Sequence, residues 1–431
     1  MRSCLRGVIV ASMVGAAAPL SAQPLQLALL QREALERDAR AKELELLTDQ
    51  TVLRVRNIEA ERLPAISVLG QGQYQSDVPT PPPFVPGGQP LFSPSKDTYD
   101  ASVRVDQRLV DRSSSARLAL ERATLAESQA RVRTTLYALR TEVSESFFAA
   151  ALLQEQLGAL KATLDDLEGR LRETAARVRE GAALAGEQAA VEATLLQQRQ
   201  RADEIRAARS AALARLAALT GHAIADDADV VLPELGEAVA EARQGLDRLR
   251  ARPEYEQFDR ARDRAARQQA LAAALDRPQV TAYGRAGYGK PGLNFINDQF
   301  QTYALGGVQL QWKAWTWGTS SREREALGLQ QSIVSAEEAA FTDGLRRAIQ
   351  LDLATIDRLQ GALAADDRIV SLRDAIQRAS RVRLAEGVIV SSDYLDRELE
   401  TLTAQFDRAR HRVELAQARA RVLTTLGLEV K

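Results

Sequence analysis

From Ser113 to Arg179 the chain runs 67 residues without a proline and with only two glycines, Gly158 and Gly169. Apolar residues return through this stretch at heptad spacing. Leu136, Val143, Ala150, Leu157, Leu164, Leu171 and Val178 hold one position, and Leu118, Leu125, Val132, Leu139, Leu153, Leu160 and Leu167 hold the position three further on. Two such seams predict one helix packed against neighbours along nearly its whole length. At 1.5 Å per residue it is about 100 Å long. No compact domain of this size needs such a rod.

The rod has a counterpart, because the chain is one unit written twice. Pro64 precedes Tyr74 by ten residues with Gly70 between, and Pro278 precedes Tyr288 by ten with Gly284 between. Val103-Arg-Val-Asp-Gln107 returns as Val308-Gln-Leu-Gln-Trp312. Arg177-Val-Arg179 stands just before Gly181, as Arg381-Val-Arg383 stands just before Gly387. Leu-Thr-Gly221 lies 40 residues after Gly181, and Thr-Leu-Gly427 lies 40 after Gly387. Landmarks in one order at near-constant offsets mark an internal repeat. The first repeat spans 23–221, with a β-hairpin at about 65–109, a long helix over 111–179, a tip at 180–187 and a returning helix to 221. A linker follows over 222–252. The second repeat spans 253–431, with a hairpin at about 279–312, a long helix over 318–385, a tip at 386–393 and a returning helix to 427.

The hairpins are read from period two. Ile66, Val68, Gly70, Gly72 and Tyr74 form one face of the first strand, and Tyr99, Ala101, Val103 and Val105 one face of the second. Val280, Ala282, Gly284, Ala286 and Tyr288 form one face of the third. Ala304, Gly306, Val308, Leu310 and Trp312 form that of the fourth. Alternation of apolar and polar residues is the strand signature, and about ten residues suffice for a tilted strand to cross a bilayer. Between the strands lie turn-rich loops: Pro79 to Pro94 holds seven prolines and a Gly-Gly pair, and Gly289 to Gln299 holds Pro291, Gly292 and Asn294.

The first residues point to export. Arg2 and Arg6, the apolar Val8 to Leu20 and the closing Ser21-Ala22 predict a signal peptide over 1–22, cut before Gln23. The single cysteine, Cys4, lies inside it, which leaves a mature chain without disulfide or thiolate chemistry. After Ala22 no apolar run approaches the 18 residues or so of a transmembrane helix. Net charge is −1 with both signs abundant, which argues against nucleic acid as a partner.

Four strands do not close a barrel, and an open edge in hydrocarbon leaves costly unpaired backbone groups. If the strands lie in a membrane, copies of the chain must complete the barrel together. The polar faces then line water, with Asp100, Arg104, Asp106, Arg285, Gln309 and Gln311 as candidates. The alternative is the solvent face of a soluble sheet. Trp312, Trp315 and Trp317 stand where an aromatic girdle at the periplasmic interface would sit, although packing between sheet and helix also accounts for them.

The mature chain resembles the TolC-like outer-membrane efflux proteins. The resemblance rests on the duplicated architecture and on strands that open after a proline, Leu63-Pro64-Ala65-Ile66 and Arg277-Pro278-Gln279-Val280. It rests also on Arg252-Pro253-Glu254 opening the second half, on the arginine-to-glycine helix tips followed by an acidic residue, and on the Leu-Thr-Gly helix end. It implies a mixed α/β membrane protein. Three copies form a twelve-stranded β-barrel, four strands from each, continued by a periplasmic α-helical barrel. It implies passive export without catalysis, as the exit duct of a tripartite efflux or type I secretion system. The partners implied are a homotrimer, a periplasmic adaptor (membrane fusion) protein, an inner-membrane transporter and outer-membrane lipid. The place implied is the cell outer membrane, with a large periplasmic portion.

The resemblance also assigns the tips. Glu180, Gly181 and Ala182, with Glu386, Gly387 and Val388, take the positions that meet the adaptor. Asp393 and Asp396, six and nine residues after Gly387, take those of a selectivity ring, where aspartates attract cations. Two departures from one member of the family are plain: Ile389 stands where it has an arginine, and Gly186-Glu187 where it has threonine and aspartate; Glu187 keeps the charge and is counted with Asp393 and Asp396 in the periplasmic gate and selectivity ring. A second reading has Ser391, Ser392 and Asp393 capping the returning helix, with Asp396 favoured by its dipole.

Two rival functions are weighed. His222 and His411 each lack a companion at ligand spacing and read as surface or cap residues, which argues against an enzyme or a metal cofactor. A soluble periplasmic coiled-coil adaptor or scaffold accounts for the heptads but not for four alternating runs at matched places in two repeats.

Overall fold

In a computed structural model, residues 24–78, 95–244, 246–294, 296 and 298–430 are described. The expected signal segment 1–22 and the loop from Pro79 to Pro94 lie outside the described residues. The elements in order are α1 (Leu27–Arg37), α2 (Ala39–Ala60), β1 (Ala65–Tyr74), β2 (Asp97–Val110), α3 (Ser113–Arg179) and α4 (Ala185–Thr220). Then come α5 (Gly236–Arg243), a 3-10 turn (Leu246–Ala251), α6 (Pro253–Leu275), β3 (Gln279–Lys290), β4 (Gln301–Gln311), α7 (Thr319–Ala385) and α8 (Ser391–Thr425). Helix, hairpin, 67-residue helix and returning helix thus occur in the same order in each half. Among the described residues no helix is long and apolar enough to cross a membrane.

The boundaries have local causes. α3 starts at Ser113 just after an Asx turn, in which the Asp111 carboxylate accepts from the Ser113 amide at 2.8 Å and from its hydroxyl at 2.6 Å. α6 opens on Pro253, whose missing N–H has no acceptor to lose in the first turn. α7 begins at Thr319, one residue late, because Gly318 takes the left-handed φ of 74°. β3 runs to Lys290 and so takes Gly289 and Lys290 from the expected loop, while β4 ends at Gln311 and leaves Trp312 just beyond it.

Chain contacts divide the fold into two compact units, each drawn from both repeats. The first takes the segments through Asp38, Ala138–Leu249 and from Arg346 onward. Its core is built on the heptad seams: Leu139, Val143, Ala150, Leu160 and Leu167 of α3 are buried. Leu160 packs with Ala202, Ile205, Leu402 and Phe406, and Leu167 with Val191, Leu195 and Leu395, so α3, α4 and α8 share these layers. Leu157, Leu164 and Leu171 flank the same clusters half-buried. The expected linker is held in place: Leu25 and Val230 form a parallel bridge, and Gln154 donates to Asp229 at 2.8 Å.

The second unit takes Ala39–Tyr137 and Arg250–Leu345 and contains the sheet. All strands are antiparallel in the order β1-β2-β3-β4. The central pair, β2 with β3, therefore comes from different repeats, and β1 and β4 form the two edges. At the start of α6, Arg252 pairs with Glu254 and sits over the rings of Tyr137 and Phe341, at 5.2 and 5.5 Å. That contact explains why Arg252-Pro253-Glu254 marks the start of the second half.

Candidate functional site

Register assigns the two faces of the sheet. Val68 lies opposite Val103, and Val103 opposite Ala286; Gly70 opposite Ala101, and Ala101 opposite Tyr288. Ala286 lies opposite Ala304, Ala282 opposite Val308, and Val280 opposite Leu310. Every apolar run read from the sequence thus falls on one continuous face across all four strands. That face is bare: Ile66, Val68, Val103, Val308 and Leu310 are all exposed. From Val280 to Tyr288 it measures about 27 Å along the strand before tilt, near the height of a barrel's apolar band.

The opposite face carries a polar network. Asp100 accepts from Ser102 at 3.0 Å and also from Arg285 and Tyr303, while Arg285 donates to Ser102 at 2.9 Å. Arg104 grips Asp106 in a fork at 2.9 and 3.0 Å. Gln309 faces Thr281 and Gln311 faces Gln279 at the strand end, apart from that network. Sequence reading put Ser102 on the polar face but left it and Tyr303 out of the site candidates. Their signal was parity, since both alternate with residues assigned to the apolar face. Tyr303 fits because position 287 is glycine: a Cβ there would stand 2.7 Å from the Tyr303 ring and 2.8 Å from Ser102 Cβ.

Aromatic residues mark both ends of the sheet. Trp312 donates to the Asp276 carbonyl at 3.1 Å, and Trp315 meets Trp317 edge to face at 5.8 Å. At the other end Phe300 stacks between Tyr99 and Tyr288, at 6.2 and 5.4 Å, a cluster the sequence reading did not assign.

The two helix tips, in the first unit, share one geometry. Ala182 N donates to Arg177 O at 2.8 Å and Gly181 N to Val178 O at 3.1 Å; Val388 N donates to Arg383 O at 2.8 Å and Gly387 N to Leu384 O at 3.1 Å. These are Schellman turns, which need a left-handed residue. Gly181 and Gly387 supply it with φ of 76° and 73°. A Cβ at Gly387 would meet nothing within 4 Å, so Gly387→Ala should cost only its backbone strain, about 1 kcal/mol. Hydrogen exchange at Val388 should quicken accordingly. Gly158→Ala, inside α3 and equally open, should instead slow local exchange by gaining helix propensity.

After the tips, α4 and α8 begin without side-chain caps, with Leu184 and Val390 at their N-cap positions. Ser391 does not cap. It donates to Glu187 at 3.1 Å and so ties α8 to α4. Asp393, in the first turn of α8, and Asp396 are exposed, on the side away from buried Tyr394, Leu395 and Glu398. The adaptor-contact candidates Glu180, Gly181, Ala182, Glu386, Gly387 and Val388 are exposed as well.

Beneath the tips lies a polar cluster that sequence reading missed. Asp166 of α3 accepts from Tyr394 at 2.9 Å and from Arg381, which also donates to the Tyr394 hydroxyl at 3.3 Å. The Arg170 guanidinium stands 4.1 Å from the centre of the Tyr394 ring. Glu398, 2% exposed, has no hydrogen-bond partner for either carboxylate oxygen. Burial and the adjacent Asp166 carboxylate push its pKa up to about 8, against the opposing charges of Arg170 and Arg381.

His411 also departs from expectation. It is half-buried, with Nδ1 2.6 Å from Asp366 of α7, a pairing between helices and not a surface or cap position. His222 is exposed, 3.4 Å from Glu33. Among the described residues no group of three or more His, Cys, Asp or Glu is placed to hold a metal ion.

The chain thus combines a four-stranded antiparallel sheet that bears one bare apolar face with two helices of 67 residues. Comparison with solved structures finds that fold. The chain superposes on the outer membrane protein VceC from Vibrio cholerae with a TM-score of 0.68 at 16% identity, covering 95% of this chain and 98% of that one. The Neisseria gonorrhoeae MtrE outer membrane channel gives 0.67 at 18% identity, covering 94% and 89%. CusC, whose structures concern folding and transmembrane channel formation, gives 0.70 at 14% identity, covering 94% and 92%. No curated protein matches the sequence. Residues 29–222, nearly all of the first repeat, match the family model described as outer membrane efflux protein. By that match the first repeat is similar to outer membrane efflux proteins, and the whole chain shares the fold of the channels above.

Proposed function

We propose that three copies of this chain form the exit duct of a tripartite efflux or type I secretion system. In this reading β1 of one copy pairs with β4 of the next and closes a twelve-stranded barrel. The helices close a periplasmic tunnel in the same way. The observation that carries the reading is the sheet itself: a continuous apolar face with its two edge strands unpaired among the described residues. Lipid covers such a face, and only closure satisfies such edges. Exposed apolar residues on α7, among them Leu329, Ile333, Leu372 and Ile376, support packing between copies. A soluble adaptor or scaffold leaves both features without a purpose.

Asp100, Arg104, Asp106, Arg285, Gln309 and Gln311 then face the water of the barrel. The tips Glu180 to Ala182 and Glu386 to Val388 meet a periplasmic adaptor, which couples the duct to an inner-membrane transporter. Asp393 and Asp396 form the selectivity ring, and Glu187 serves beside them as the tie to Ser391. The test is conductance of the purified protein in planar bilayers, together with cross-linking. Wild type should give cation-preferring pores and a covalent species of three chains. Asp393→Asn with Asp396→Asn should lower the cation preference several-fold at low salt, where screening is weakest. A protein that forms no pore and cross-links only as a monomer would sink the proposal.

A further inference from the structure

Glu398 lies where helix packing leaves buried polar atoms unmatched, both its own oxygens and the Nε of Arg170 on α3. Leu195 packs with Leu395 and Ala202 with Leu402, so Gln198 and Glu398, each three residues past the first pair, lie at one level of α4 and α8. Both are buried, and Gln198 Oε1 joins the two Glu398 oxygens as an acceptor without a donor. The charged groups facing Glu398 are Asp166 and Arg170 of α3 and Arg381 of α7; on its own helix Tyr394 stands one turn back. From α4 the group at this level is the neutral Gln198. Arg381 and Tyr394 already serve Asp166. A cavity of about 400 Å³ is lined by Asp165, Asp166, Arg381 and Glu398 together with neutral polar residues, Ala162 and Leu402.

We propose that Glu398 is a proton-binding site, and that the proton it shares with Asp166 holds the α8 end of the second tip against α3. As a carboxylate, Glu398 finds no donor and repels Asp166. As an acid, its O–H donates to the Asp166 carboxylate, which adds to burial in raising its proton affinity. The cavity gives that proton a path to solvent. The sign follows from linkage. The packed state binds the proton up to about pH 8, and the released state loses it near the ordinary 4.5. Packing is therefore tightest below the lower value, loosens as pH rises between the two, and changes little above the upper one. That this loosening opens a channel rests on the function proposed above; the proton site itself does not.

Hydrogen exchange of the full-length protein in detergent, corrected for the intrinsic base-catalysed rate, reads the site directly. From pH 6 to pH 7 the local opening constant of segment 391–405 should rise on the order of ten-fold. Glu398→Gln keeps the donor and removes the titration, so its profile should be flat. Asp166→Asn should move the wild-type midpoint to lower pH. Identical profiles for wild type and Glu398→Gln overturn the proposal, as does an unmoved midpoint in Asp166→Asn. Bilayer conductance over the same pH range is the second arm. A titrating exchange profile with pH-independent pores removes the link to gating and leaves the proton site standing. A flat profile in a conducting protein removes the proton site and leaves the channel.

Discussion

Val103→Arg should nearly abolish the protein's accumulation in the outer membrane. Val103 stands mid-sheet between Val68 and Ala286, on the bare apolar face. In water an arginine at so exposed a strand position would be harmless. In lipid it costs roughly 2–4 kcal/mol near the bilayer midplane, repeated in every copy of a closed barrel. The next residue shows how strictly the faces differ, since Arg104 already stands on the opposite face in a fork with Asp106. Gln309→Arg, on that polar face, is the matched control and should leave the amount unchanged. Immunoblots of membrane fractions decide the matter. Wild-type levels of Val103→Arg in the outer membrane would show that this face does not meet lipid.

Phe147→Ala should produce the largest loss of stability in the helical part of the chain, about 3–5 kcal/mol. Phe147 and Phe148 are both fully buried, with ring centroids 5.3 Å apart and planes at 90°. Adjacent residues on a helix point about 100° apart, so burying both requires neighbours around much of α3 at this level. Truncating Phe147 removes a large apolar surface and leaves a cavity that rigid helices fill poorly. Urea unfolding of the purified protein should show a clear fall in midpoint. Leu184→Ala, at an exposed tip position, should show none. A midpoint within error of wild type for Phe147→Ala would mean that this layer is not packed as described.

Much of this was legible in the residues. The heptad seams of α3 became its buried stripes because 3.5-residue periodicity turns the same face to its neighbours on every turn. The alternating runs became four strands in one register because a one-residue slip would have put Val68 or Val308 on the polar face. The tip glycines were legible because only glycine enters the left-handed region without strain. The caps were misread. Ser391 and Ser392 have the chemistry of caps, but Val390 holds the N-cap position, and Ser391 turns to Glu187, a residue 204 positions away in the chain. His411 reads from the sequence as a surface or cap residue because its partner Asp366 lies on another helix.

The sequence by itself determined the elements: two repeats, their helices and strands, the faces of the sheet and the turn at each tip. Each depends on the spacing of residues within a few turns or one strand. Only the tertiary structure decided that β2 pairs with β3 across the two repeats, and that each compact unit mixes both. It alone joined Arg285 to Asp100 over 185 positions and Tyr394 to Asp166 over 228. It also left Glu398 buried without a donor. Such contacts follow from which helices and strands pack together, and local periodicity carries no record of that choice.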